Sequence, residues 1–201
     1  MKTSLIILGW FAAGILVGVL APLPTWVVPS DYTVYVLYAL LLFVGIALGG
    51  DNHVWQALKQ KHKLRLALVP LLVMVGTLAG VALASLLLPT VGLRDSLAVG
   101  AGFGYYSLSS VLITQARSET LGVVALLSNL MREIATLLLA PLLVRFFGSL
   151  APIACGGATA MDSTLPIIAR FAGKQYSVVA LFSGVVLTAA VPFLVFLILS
   201  A

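Results

Sequence analysis

The sequence predicts an all-α integral membrane protein of five to seven transmembrane helices, a single membrane domain over residues 1–201 with two broken or re-entrant glycine-rich segments. Three observations carry this. Hydrophobic residues make up 62% of the chain and charged residues 8%, where a soluble domain has about 25% charged. Long apolar runs recur along the whole length, without the alternation of a β-barrel strand. Two of those runs are threaded with glycine and hydroxyl residues, which suits neither a clean helix nor a solvated loop.

The first run, residues 4–28, begins like a signal peptide, but no small-residue cleavage site follows and further spans come after it. It reads as a retained helix. Crossing the hydrocarbon core takes about 20 residues. The runs at 4–28, 64–88, 120–147 and 177–200 meet that length comfortably, and 33–50 meets it with little to spare. The runs at 96–114 and 151–170 are shorter and carry Gly, Ser and Thr throughout.

Between the second and third runs lie Lys59, Lys61, Lys63 and Arg65, which places that loop in the cytoplasm. The N-terminus with Lys2 is then also inside, and the Ser30–Asp31 turn and the C-terminus are outside. If both short runs cross, Arg117, Arg170 and Lys174 face in while Arg94 and Arg145 face out. If both are hairpins, Arg145 and Arg117 exchange sides. The inside count is the same, so the charge rule does not choose. The net charge of +5 is this topology signal, and no nucleic-acid partner is implied.

Other features are structural. Trp10, Trp26 and Trp55 fall near span ends as interfacial anchors. His53 and His62 have no acid or cysteine at ligand spacing, so no metal site is expected. The single cysteine, Cys155, rules out an internal disulfide and reads as a small buried filler. No G-x-S-x-G, H-E-x-x-H or phosphate-binding loop appears, so no enzyme and no cofactor are expected.

The chemistry gathers in three places. GAGFGYYSLSS, Gly100 to Ser110, and CGGATAMDSTLP, Cys155 to Pro166, look like broken helices. Such irregular backbone is tolerated at membrane depth only against protein or a wet cavity, and it is a recurrent way to build a transport site. Gly102, Gly104, Gly156 and Gly157 supply the breaks. Tyr106, Ser107, Ser109, Thr159 and Thr164 supply hydroxyls, and Asp162 a carboxylate. The third place is the middle of the span after Thr120, where Arg132 and Glu133 each cost about 2.5–3.5 kcal/mol to insert. Helical spacing aligns Asn129 with Glu133, Glu133 with Thr136, and Ser128 with Arg132, forming one polar face that must look into protein or water. Two readings stay open for Arg132: a buried structural pair with Asp162, or a part in the site.

The segments G-F-G-Y-Y-S-L-S-S, N-L-M-R-E and G-A-T-A-M-D-S-T-L-P resemble the lysine exporter (LysO) family, whose pattern runs G-F-G-W-Y-S-L-S-G, N-D-L-A-R-E and G-A-T-S-M-D-F-T-L-P. This sequence departs at Tyr105, Ser110, Ser128–Asn129 and Ser163. The resemblance implies an L-lysine exporter of the inner membrane, with Glu133 and Asp162 as its functional pair and re-entrant hairpins rather than full crossings. It also implies a short form lacking further N-terminal spans, which pairs with itself or with a small membrane subunit. Exporting a cation against a negative-inside potential costs about 2.3 kcal/mol per 100 mV, so exchange for entering H⁺ or Na⁺ is expected. The alternatives are a cation/proton antiporter without an amino-acid substrate and a non-transporting scaffold subunit.

Overall fold

The computed structural model describes residues 63–87 and 91–200, with isolated positions at 16, 35, 39, 42 and 46. Apart from those isolated positions the first two expected spans lie outside the described residues, as do the three tryptophans, His53, His62, Lys59 and Lys61. The chain divides into two units after Gly45, and the fold below belongs to the second, Ile46–Ala201.

Every described element is a helix. Helix α1 covers Lys63–Ser85, α2 Leu93–Gly100, α3 Tyr106–Ala116, α4 Glu119–Phe147, α5 Ala151–Gly156, α6 Leu165–Phe171 and α7 Ser177–Ser200. A 3₁₀ turn, Gly157–Met161, joins α5 towards α6, and another, Lys174–Tyr176, precedes α7. Three stretches, Leu68–Ser85, Glu119–Phe147 and Lys174–Ser200, are long and apolar enough to cross a membrane. Each contains a proline, Pro70, Pro141 or Pro192, without ending there, as packed membrane helices allow. Helix α4 starts on Ser118, whose side chain accepts the Leu121 N–H at 3.2 Å. Glu119 in its first turn and Arg145 in its last oppose the helix dipole.

The two glycine-rich segments both fold back on themselves. In hairpin I, α2 and α3, the start and end are joined by an ion pair between Arg117 Nε and Asp95 Oδ1 at 3.1 Å. The same base is tied to the C-terminus of α7, where Arg94 donates to the carbonyls of Ile198 at 2.7 Å and Leu199 at 2.8 Å. In hairpin II, α5 and α6, both arms enter one cluster: Ile153, Ile168 and Ala172 pack with Ala180 early in α7, Val144 late in α4 and Val69 early in α1. The two bases therefore lie at opposite ends of the bundle. Their tips meet between, where the Ala158 N–H donates to the Phe103 carbonyl at 2.8 Å.

Each hairpin packs its tip on the helix that follows it. Gly102 of hairpin I lies against Asn129 of α4, and Met161 and Ala158 of hairpin II lie against Gly184 of α7. The sequence repeats in step. Ser96-Leu97-Ala98 matches Ser149-Leu150-Ala151, Gly104 matches Gly157, Ala116-Arg117 matches Ala169-Arg170, and Val123-Val124-Ala125-Leu126 matches Val178-Val179-Ala180-Leu181. Hairpin I with α4 and hairpin II with α7 are thus an inverted repeat, an architecture common among secondary transporters. Large apolar side chains such as Leu127, Met131, Leu138, Phe193 and Phe196 cover the outer faces of α4 and α7.

Candidate functional site

The site is built where the two tips touch the polar face of α4. The breaks need conformations that only glycine takes easily: Gly104 has φ +96° and Gly157 φ +63°. A methyl group on Gly104 would stand 2.8 Å from the Gly156 carbonyl, and one on Gly157 would run into the Phe103 carbonyl. Between them Phe103, fully buried, holds φ +47°. For a bulky residue this is strained backbone, of the kind that clusters at functional sites.

The polar residues of the site divide into those consumed by holding the breaks and those left open. Asn129, 3% exposed, is consumed. Its Oδ1 accepts the Gly104 N–H at 2.7 Å, and its Nδ2 donates to the carbonyls of Val99 at 3.1 Å and Ala125 at 2.9 Å. Arg132 is also engaged. Its Nε donates to the Cys155 carbonyl at 2.7 Å and its Nη2 to the Ala154 carbonyl at 2.8 Å, with Thr77 Oγ1 of α1 at 3.3 Å. It makes no pair with Asp162; the ion pair found among the described residues is Arg117–Asp95.

The buried hydroxyls close the turns. Ser109 donates to the Tyr105 carbonyl, Thr159 to that of Gly156 and Thr164 to that of Thr159, each at 2.9 Å. Thr136 bonds back to the Arg132 carbonyl at 2.9 Å. Gly102 and Gly156 are confined too: a methyl on the first would meet the Asn129 amide, and on the second the Thr164 hydroxyl.

Most backbone N–H groups of the breaks are already taken and are not free to receive a substrate carboxylate. Gly102, Phe103, Tyr105 and Tyr106 donate within their own turn, Gly104 donates to Asn129, and Ala158 donates to Phe103. The Gly157 N–H closes on Ile153. A break placed in a dry interior satisfies its own donors first.

Glu133, Asp162 and Tyr106 are the side chains left open, while the Ser107 hydroxyl is engaged by Tyr105. Glu133 is partly exposed and Asp162 exposed. Asp162 Oδ1 accepts bonds from the Ser163 N–H and hydroxyl, which orient the carboxylate without neutralising it. Tyr106 lies within electrostatic range of both Glu133 and Asp162, and Tyr105 within range of Asp162. Tyr105 and Ser163 were not singled out from the sequence as site residues. Their signal was adjacency to Tyr106 and Asp162, which says nothing of direction until the turn is built.

A family model described as lysine exporter LysO matches residues 8–199. A Haemophilus influenzae protein named "Putative lysine exporter" is 35% identical over 167 residues, covering 83% of each chain. An Escherichia coli protein named lysine exporter LysO is 33% identical over 166 residues, 83% of this chain and 54% of that protein. This chain thus spans about half the length of the Escherichia coli relative. No solved structure matches it. Family model and relatives agree with the motifs at the breaks: the chain belongs to the lysine exporter LysO family of membrane transport proteins.

Proposed function

We propose that this chain exports L-lysine, or a closely related cationic amino acid, in exchange for inward H⁺ or Na⁺, with Glu133 and Asp162 as the groups that hold the substrate ammonium. One observation supports this above the rest. The two carboxylates come from different elements, α4 and the tip of hairpin II, yet both lie within electrostatic range of Tyr106, and neither makes an ion pair among the described residues. Ionisable groups at such depth are costly unless they bind something, and a passing cation fits both acids. The Tyr106 hydroxyl is available to the substrate carboxylate, and the bonded Tyr105–Ser107 pair stands beside it. Asn129, Arg132, Ser109, Thr159, Thr164 and the four glycines act from behind, by fixing the shape of the breaks.

In this reading hairpins I and II are re-entrant, giving five spans when the two N-terminal runs are included. The Arg117–Asp95 pair and the bonds from Arg94 to the end of α7 support it. With the cytoplasmic loop before α1, hairpin I opens outside and hairpin II inside, and the C-terminus is outside. The outer apolar faces of α4 and α7 meet lipid, a second copy or a small membrane subunit. The test is export of labelled lysine from proteoliposomes by the wild type, Glu133→Gln and Asp162→Asn. Loss of export in both variants, with the protein still folded and inserted, supports the reading. Normal export by Asp162→Asn ends it.

A further inference from the structure

We propose that Arg132 is a positioning residue whose guanidinium acts as a tethered cation, filling the carbonyl end of α5 in the place of a free ion. The inference rests on the export reading above and narrows how its coupling works.

The argument is an account of acceptors. The last carbonyls of a helix have no donor from the helix itself, and at membrane depth little water is available to supply one. The Ile153 carbonyl takes the Gly157 N–H. The Gly156 carbonyl takes the Thr159 hydroxyl. The carbonyls of Ala154 and Cys155 remain, and the Ala158 N–H that would continue the helix is turned away to Phe103. Arg132 takes both, with two nitrogens of one planar fork. That geometry matches guanidinium and no single-point donor.

The access route is built for it. The Arg132 chain passes Gly104 and Gly157: methyl groups there would stand 3.9 Å from its Cδ and 3.2 Å from its Nη2. Gly157, which makes the second break, therefore also makes room for the guanidinium, while Gly104 only flanks the stem. Hairpin I offers a contrast within the same repeat. Its corresponding arm is held at Val99 by the neutral amide of Asn129, so an arm can be capped without charge. The charged cap stands on the hairpin that carries Asp162.

Unwound carbonyls and half-helix C-termini are where broken-helix transporters hold a coupling metal cation. Here that seat is taken by a group the chain cannot release. Among the described residues, the ion exchanged for substrate is then assigned to Glu133 and Asp162.

The experiment uses the full chain as wild type, Arg132→Ala and Arg132→Lys, with thermal unfolding in detergent and lysine export in proteoliposomes. For Arg132→Ala, maximal export falls at least about tenfold while KM for lysine stays within about twofold, the signature of lost positioning rather than lost binding. Guanidinium chloride at on the order of 10 mM, far below denaturing levels, raises the unfolding temperature of Arg132→Ala by several degrees and leaves the wild type unmoved, as linkage requires of a ligand filling a vacated seat. Urea at equal concentration does not. Arg132→Lys retains more export than Arg132→Ala, with KM unchanged, and serves should the alanine variant fold poorly. A raised KM at unchanged maximal rate in either variant, or equal guanidinium responses in wild type and Arg132→Ala, overturns the proposal. The thermal readout needs no transport, so a wild type that exports no lysine would defeat the export reading alone.

Discussion

Replacing Asn129 by alanine removes three hydrogen bonds, but they are not of equal weight. The Val99 carbonyl also accepts the Gly102 N–H at 3.2 Å, and the Ala125 carbonyl lies within α4, where the helix ladder supplies a donor. Both keep a partner. The Gly104 N–H does not, because Asn129 Oδ1 is its acceptor and the site is buried on all sides. A buried donor left alone costs about 1–3 kcal/mol. The expected loss is therefore about 2 kcal/mol, or roughly thirty-fold in the folding equilibrium. It falls on hairpin I rather than on the whole bundle. Denaturant or thermal unfolding in detergent gives the total, and hydrogen exchange over residues 99–106 gives the location. A stability change below about 0.5 kcal/mol, the usual range of inert surface substitutions, would refute this division of the three bonds.

Three further outcomes follow from the same geometry. Asp162→Asn leaves stability within about 0.5 kcal/mol of wild type, since the side chain is exposed and bonded only to Ser163; a large loss on thermal unfolding would show a structural role. Gly157→Ala lowers stability by more than about 1 kcal/mol, from its positive φ and the collision with Phe103, whereas Gly80→Ala, with open space around it, is neutral or stabilising by up to about 1 kcal/mol; equal effects on unfolding would refute the crossing of the tips. Cysteines placed at Asp95 and Arg117 in a Cys155→Ser background react from the same side of the membrane and are joined by a short thiol crosslinker; labelling from opposite sides would show that the segment crosses.

The breaks were legible in the sequence because glycine density at 100–104 and 156–157 is out of keeping with a membrane helix. Their mutual contact was not. The bond from Ala158 to Phe103 joins residues whose pairing depends on how two hairpins enter from opposite ends, and no local pattern encodes that. Charge counting stalled for a related reason: Arg117 and Arg145 trade places between the two topologies, and the pairing of Arg117 with Asp95, which supports the proposed hairpin, is invisible to a count of charges. The polar face of α4 was visible as helical spacing. Spacing shows which side chains share a face, but not which of them have spent their hydrogen bonds. Asn129 and Arg132 look as available as Glu133 until their partners, chiefly backbone carbonyls with one N–H and the Thr77 hydroxyl, are in place. The repeat was also present in the sequence, yet its halves match at a spacing of 53 residues through the hairpins and 55 along the following helices, so an extra pair of residues at the intervening turn blurs it.

The inverted repeat has a consequence for origin. In the topology proposed above a hairpin returns to the face it left, so each half traverses the bilayer an odd number of times: once. A second copy joined behind the first must begin from the opposite face and lie upside down, with no need for an ancestor able to insert both ways. Simple tandem copying of one such gene fragment suffices to aim two mirrored tips at each other across the midplane.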